Sequence, residues 1–123
     1  LTVIESQFAA MRLQADAVVV EGAGGWLVPL NDQQTIADLA KALKLPVVLV
    51  VAIKLGCINH ALLTVQAIAD SGLNLVGWVA NDFLDDSQST AIIQSLKQRI
   101  TAPCLGIVPR LDQDEDASAY LTL

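Results

Sequence analysis

An acidic side chain that can bind a metal ion, Glu21, closes a short apolar run and is followed directly by glycine. Residues 17–20 read Ala-Val-Val-Val, without polar alternation, which is typical of a strand buried on both faces of a parallel sheet. Such a strand would deliver the Glu21 carboxylate to the carboxyl edge of the sheet, where ligands bind in open α/β sheets. Glu21 is therefore a candidate magnesium ligand; the alternative is an acid that starts a solvated turn.

The glycines that follow this acid are suited to a ligand-binding loop. Gly22, Gly24 and Gly25 let the backbone approach a ligand where a Cβ would clash. An apolar strand with a terminal acid is the Walker B pattern of nucleotide hydrolases, in which the acid holds or orients the Mg²⁺ that bridges the phosphates. The sequence contains no G-x-x-x-x-G-K-[ST] segment, the P-loop that grips the β and γ phosphates. These residues therefore predict half of a nucleotide site.

A second polar pair, Asn81 and Asp82, follows the apolar run over residues 75–80. A side-chain amide can accept a hydrogen bond from N6–H of adenine and donate one to N7 at the same time. Asn and Asp are also common turn residues, so the pair alone does not distinguish a base-reading site from a turn.

The turn K-L-G-C-I-N, Lys54 to Asn59, lies between an apolar run and a helical pattern. It places the amides of Gly56, Cys57 and Ile58 at a helix N-terminus, where free N–H groups and the helix dipole favour a carboxylate or phosphate. Ordinary helix capping is the alternative. Cys57 and His60 share a helix face, but no third residue orients them, which argues against a Cys-His nucleophile.

Alternating helix and strand patterns position these residues. Strict alternation with short connections predicts an α/β fold with a doubly wound, mostly parallel sheet and helices on both faces. The polar turns after the strands should then meet on a single rim. Asp85 and Asp86 precede the last helix, as its dipole favours. The predicted elements are a helix up to residue 14, strands over 16–21, 47–53, 75–80 and 103–108, and helices over 35–44, 58–70 and 89–100.

The composition fits one globular domain. A chain of 123 residues, 54% hydrophobic and 16% charged, is long enough for one core and too short for two. The net charge of −6 and the scattered basic residues argue against a nucleic-acid partner. Two cysteines and one histidine cannot build a four-ligand zinc site. The two cysteines are expected to be reduced thiols. No apolar run reaches the roughly 18 residues of a membrane helix and no signal-peptide pattern opens the chain, so a cytoplasmic protein without a membrane partner is expected.

Four segments resemble successive signatures of the dethiobiotin synthetases, the ATP-dependent ring-closing enzymes of biotin synthesis. They are V-V-V-E-G-A-G-G-W (residues 18–26), K-L-G-C-I-N-H-A-L-L-T (54–64), G-W-V-A-N-D (77–82) and A-P-C-L-G-I-V-P-R-L (102–111). The resemblance covers nearly the whole chain. It implies a P-loop NTPase-like fold in which residues 1–123 are the C-terminal part of a single domain, without the N-terminal strand that carries the P-loop.

The resemblance also assigns roles to residues. It implies that Glu21 contacts Mg²⁺, and that Gly56, Cys57, Ile58 and Asn59 hold the carboxylate tail of diaminopelargonic acid across a homodimer interface. It leaves the catalytic residues unassigned. The implied ATP-binding residues are Glu21, Gly22, Ala23, Gly24, Asn81, Asp82, Pro109, Arg110, Leu111 and Asp116.

The implied reaction joins diaminopelargonic acid and CO₂ at the expense of ATP, giving dethiobiotin, ADP and phosphate. Without the P-loop, the chain on its own is expected to be inactive. Two alternatives remain open. One is a partition-type or cobyrinate-amidating relative of the P-loop superfamily, and the other is a non-catalytic module that only dimerises or binds a partner.

Overall fold

A computed structural model describes residues 1–84, 86–113 and 115–122 of the chain. The chain divides into two compact units, Leu1–Leu45 and Pro46–Leu123. Each unit has its own hydrogen-bonded elements and is described separately below. Among the described residues, no helix is long and apolar enough to cross a membrane.

The first unit contains helices α1 (Thr2–Arg12) and α2 (Ile36–Leu43), which lie within the ranges predicted for them. Phe8 is the buried residue of α1. The start of α2 is fixed by a reciprocal cap, because the Thr35 side chain and the Asp38 side chain each accept a hydrogen bond from the other residue's backbone N–H. Lys44 ends the helix in a left-handed conformation (φ 53°).

The strand predicted over residues 16–21 is wrong. The structure has irregular backbone there, and Val19 is 92% exposed. In the described part of the chain, the backbone hydrogen bonds between elements involve none of these six residues. A strand exists through hydrogen bonds to a neighbouring strand. The apolar run has the composition of a buried strand, but composition does not show whether a neighbouring strand is present.

The second unit is a parallel α/β arrangement, as predicted. Its elements are β1 (Val47–Ile53), α3 (Cys57–Asp70), β2 (Leu75–Asp82), α4 (Ser87–Arg99), β3 (Cys104–Val108) and a 3₁₀ helix (Ala117–Tyr120). The described sheet has three strands in the order β1-β2-β3, with both pairs parallel. It therefore has one strand fewer than the sequence predicted, because residues 16–21 form no strand.

One face of this sheet carries the core of the second unit. Trp78 on β2 lies opposite Leu49 on β1 and is fully buried, together with Ile53 and Ala80 on the same face. Residues of α3 and α4 cover these side chains, so both helices pack on this face. On the opposite face, Val50 of β1 is 61% exposed.

Helix α4 begins two residues before its predicted start. The Asp86 side chain accepts hydrogen bonds from the backbone N–H groups of Gln88 (2.8 Å) and Ser89 (2.9 Å), which makes Asp86 the N-cap residue. An acid at this position satisfies N–H groups that have no acceptor within the helix. Asp85, the other acid expected near this helix, lies outside the described residues.

Candidate functional site

The turns that follow β2 and β3 form a cavity at the carboxyl edge of the sheet. Asn81 on β2 pairs with Val108 on β3, so the two strands end at about the same position along the sheet. The cavity has a volume of about 420 Å³, within the usual range for small-ligand sites. Its lining residues are Asn81, Phe83, Val108, Pro109, Arg110 and Leu111.

This cavity brings together four of the residues implied by the resemblance. Asn81 supplies an amide, Arg110 supplies a guanidinium group, and Pro109 and Leu111 supply apolar surface. A largely apolar cavity with an amide and a guanidinium group is suited to a flat heterocycle whose edge carries hydrogen-bonding atoms. The structure thus places these residues side by side, while their contact with a nucleotide stays a prediction.

Asp82 lies next to Asn81 in sequence but is placed differently. Successive side chains of a strand point to opposite faces, and Asp82, which pairs with Ile53, is only 6% exposed. Its Oδ1 atom accepts a hydrogen bond from the backbone N–H of Leu84 at 3.1 Å. The carboxylate therefore holds the turn after β2, and its predicted contact with the nucleotide stays a prediction.

The cavity also contains residues that the sequence analysis missed. Phe83 and Val108 line it, and neither was assigned a role. Strand alternation offered a signal for Phe83, because residues two apart along an extended chain lie on the same side as each other. Phe83 follows Asn81 by two positions, beyond the apolar run 75–80 from which the strand was predicted.

The turn between β1 and α3 presents backbone N–H groups. Gly56 precedes α3 in a left-handed conformation (φ 85°) and provides no side-chain cap. The Cys57 N–H donates to the Lys54 carbonyl oxygen at 3.1 Å, so that amide is already used. Ile58 and Asn59 lie in the first turn of the helix, where N–H groups have no acceptor within the helix. These two amides are suited to an anion.

The side chains of this turn do not form a nucleophilic site. Cys57 is 5% exposed and packs in the core, whereas His60 is exposed on the helix surface. A reactive thiol needs access to its substrate and a base within hydrogen-bonding distance. The sequence analysis placed Cys57 and His60 on one helix face, whereas the structure buries the thiol and exposes the imidazole.

Glu21 and the glycines after it belong to the first unit. Glu21 is exposed, and the loop behind it is tied to the start of α2 by a hydrogen bond from the Ala37 N–H to the Trp26 carbonyl oxygen at 2.9 Å. A Cβ on Gly24, whose φ is 91°, would approach Val28 to 3.0 Å. Gly22 and Ala23 lie in the same exposed stretch.

The residues predicted to meet on one rim are divided between the two units. Asn81 and the residues around it belong to the second unit, and Glu21 belongs to the first. The meeting of these two groups in one nucleotide site therefore stays a prediction. No group of three or more histidine, cysteine, aspartate or glutamate side chains placed to hold a metal ion occurs among residues 1–84, 86–113 and 115–122.

Asp116, the tail acid of the predicted site, caps the 3₁₀ helix. Its Oδ1 atom accepts a hydrogen bond from the Ser118 N–H at 2.8 Å, and this bond lowers the pKa of the Asp116 carboxyl group. The tail is attached to the edge of β3, where the Thr122 N–H donates to the Leu105 carbonyl oxygen at 2.7 Å. Asp116 is exposed and charged at neutral pH, and its role toward ATP stays a prediction.

Comparison with known proteins supports the resemblance seen in the sequence. A family model described as an AAA domain matches residues 2–118. An ATP-dependent dethiobiotin synthetase from Cellvibrio japonicus is 61% identical over 114 residues, which is 89% of this chain and 50% of the relative. One from Aromatoleum aromaticum is 49% identical over 122 residues, 98% of this chain and 54% of the relative. The chain spans about half the length of the curated relatives it matches.

Proposed function

Because the chain belongs to the AAA domain family, we propose that it forms part of an ATP-dependent dethiobiotin synthetase. The observation that carries this proposal is the cavity after β2 and β3, in which Asn81 lies beside Pro109, Arg110 and Leu111. The similarity to enzymes named ATP-dependent dethiobiotin synthetases supports the same function. In this proposal the cavity receives the adenine base of ATP, and the Asn81 amide reads its edge.

In the proposed reaction, one amine of diaminopelargonic acid attacks CO₂ to give a carbamate. A carbamate oxygen takes the γ-phosphoryl group of ATP, and the second amine then attacks the carbamate carbon and expels phosphate. This closes the ureido ring of dethiobiotin and leaves ADP. Phosphoryl transfer of this kind depends on positioning and on charge stabilisation more than on covalent help from the protein.

Glu21 is the residue of this chain that would hold Mg²⁺. Its carboxylate is exposed, and Gly22, Ala23 and Gly24 after it are exposed as well. Such a site suits Mg²⁺, which is held by one or two carboxylates together with substrate phosphates and water. When bound, Mg²⁺ neutralises charge on the phosphoryl oxygens.

The N-terminus of α3 is the proposed site for the carboxylate of diaminopelargonic acid. The N–H groups of Ile58 and Asn59 lie at the positive end of a 14-residue helix, and Gly56 leaves them uncovered by a side-chain cap. In the proposed homodimer, this helix end lies at the subunit interface. We expect the complete enzyme to act in the cytoplasm.

An assay of the complete protein that contains this chain tests the proposed function. With Mg²⁺, ATP, bicarbonate and diaminopelargonic acid, we expect dethiobiotin and ADP to appear in equal amounts. Omission of diaminopelargonic acid is the control and should stop ADP release. ADP release that is independent of diaminopelargonic acid, or the absence of dethiobiotin, would contradict the proposal.

A further inference from the structure

Phe83 exposes its ring at the cavity that contains Asn81. We propose that this ring stacks on the nucleobase and supplies affinity for any base, whereas the Asn81 amide supplies the selectivity for adenine. The inference rests on the proposed function, because it requires that the cavity receive the base of a nucleoside triphosphate.

Phe83 is more exposed than Phe8, Trp78 and Tyr120, the last of which is 40% exposed. Phe8 and Trp78 are 7% and 0% exposed, whereas Phe83 is 55% exposed. Covering apolar surface is favourable, so an aromatic ring that stays open beside a cavity offers surface to a ligand. Among the described residues, Arg12 lies over the ring of Phe8, whereas Arg110 makes no such contact with the ring of Phe83.

The backbone that carries Phe83 is held in place. Asp82 before it is buried, and the Asp82 Oδ1 atom accepts the hydrogen bond from the N–H of Leu84 after it. This side-chain bond spans residue 83 and closes a turn of the kind that Asp and Asn form with the backbone two residues on. A fixed turn lowers the entropy that a ligand must pay to order its site.

Two physically different contacts then act on one base. Every nucleobase has a π face, so stacking on an aromatic ring tolerates any base. The hydrogen-bonding edges differ between bases, so an amide that reads an edge distinguishes them. Phe83 and Asn81 line the same cavity. Their contributions to binding can be told apart by comparing the affinities for nucleotides with different bases.

Equilibrium binding to the complete protein in the presence of Mg²⁺ tests the proposal. The probes are ATP, GTP and inorganic triphosphate, the last of which has no base. We expect Phe83→Ala to weaken ATP and GTP by the same factor, about 10- to 100-fold, and to leave triphosphate binding unchanged. Phe83→Trp should restore the affinity, because it restores an aromatic face.

Leu84→Ala is the matched control. Leu84 is 42% exposed, lies in the same turn and does not line the cavity, so truncating it should leave all three affinities unchanged. The inference is overturned if Phe83→Ala matches Leu84→Ala, or if it weakens triphosphate as much as ATP. If the wild-type protein forms dethiobiotin and the Phe83→Ala variant binds ATP as tightly as the wild type, this inference alone is overturned. Wild-type protein that binds no nucleotide would overturn the proposed function as well.

Discussion

At the scale of single residues, Glu21 is the position where a change of charge is most informative. Its carboxylate is exposed, so Glu21→Gln should leave the fold intact. We expect the substitution to weaken Mg²⁺ binding in the complete enzyme roughly 10- to 100-fold or more, the size of effect found for residues around metal sites. Titrating Mg²⁺ in the dethiobiotin assay measures this directly.

Asp32→Asn is a suitable control for Glu21→Gln. Asp32 is also an exposed acid of the first unit, so the variant makes the same change in net charge. Its Mg²⁺ dependence should match the wild type. Equal effects of the two substitutions would mean that general electrostatics, and not a ligand at Glu21, sets the Mg²⁺ affinity.

Asn81 is the residue expected to determine which base is accepted. Removing an amide that pairs with two atoms of adenine costs roughly 1–3 kcal/mol of discrimination. Asn81→Ala in the complete enzyme should therefore bring the kcat/KM values for ATP and GTP closer together by a factor of about 5 to 100. If the ratio of the two values does not change, the base is read by other residues.

At the scale of secondary-structure elements, the cap of α2 makes its stability depend on pH. The Thr35 backbone N–H, and then Lys41, lower the pKa of Asp38 from 3.8 to about 2. A lowered pKa in the folded state stabilises the fold above the unfolded value of 3.8, and this contribution is lost as the pH falls toward 2. The helix start should therefore loosen in that window.

Asp38→Asn removes the titrating group and tests this pH dependence. Above pH 5, we expect the variant to have a lower Tm than the wild type, because a neutral amide makes a weaker cap than a carboxylate. The difference in Tm should shrink between pH 4 and pH 2, where Asp38 itself becomes protonated. A difference that stays constant over this range would show that the Asp38 charge does not stabilise the fold.

The elements also show what sequence patterns can predict. The bounds of β1, Val47–Ile53, match the prediction because seven successive apolar residues leave little choice of register. The start of α4 was missed by two residues, although Asp86 is a capping residue that could have been recognised. Residues 16–21 were predicted wrongly because strand formation depends on a partner elsewhere in the molecule. An apolar composition indicates a buried strand, but it does not show whether a neighbouring strand is present to pair with it.

The site shows a similar limit. The sequence pointed to Asn81 and the 109–111 segment, which the structure brings to one cavity, since parallel strands end at a common edge. The orientation of Asp82 and the exposure of Phe83 required the structure. Alternation along β2 separates Asn81 from Asp82, and no property of the dipeptide indicates which side chain faces the core.

At the scale of the whole molecule, we expect the isolated 123-residue chain to bind Mg·ATP poorly and to form no dethiobiotin. Its sequence contains no P-loop, and β1 lies at the edge of the described sheet with Val50 largely exposed. For the same reasons it should be stable only as an oligomer or beside further protein. Calorimetry on the isolated chain tests the binding, with the complete protein as the positive control. Micromolar affinity would mean that the residues present suffice without a P-loop.

The distribution of the two tryptophans gives the chain a pair of optical reporters. Trp26 is half-buried in the unit Leu1–Leu45, whereas Trp78 is fully buried in Pro46–Leu123, and its Nε1 atom has no hydrogen-bond partner among the described residues. Indole fluorescence shifts to longer wavelength as water reaches the ring, so Trp78 should emit at the shorter wavelength. With each tryptophan replaced by phenylalanine in turn, the remaining emission follows one unit at a time. Denaturation curves of the two variants therefore reveal whether the units lose their structure together or in succession.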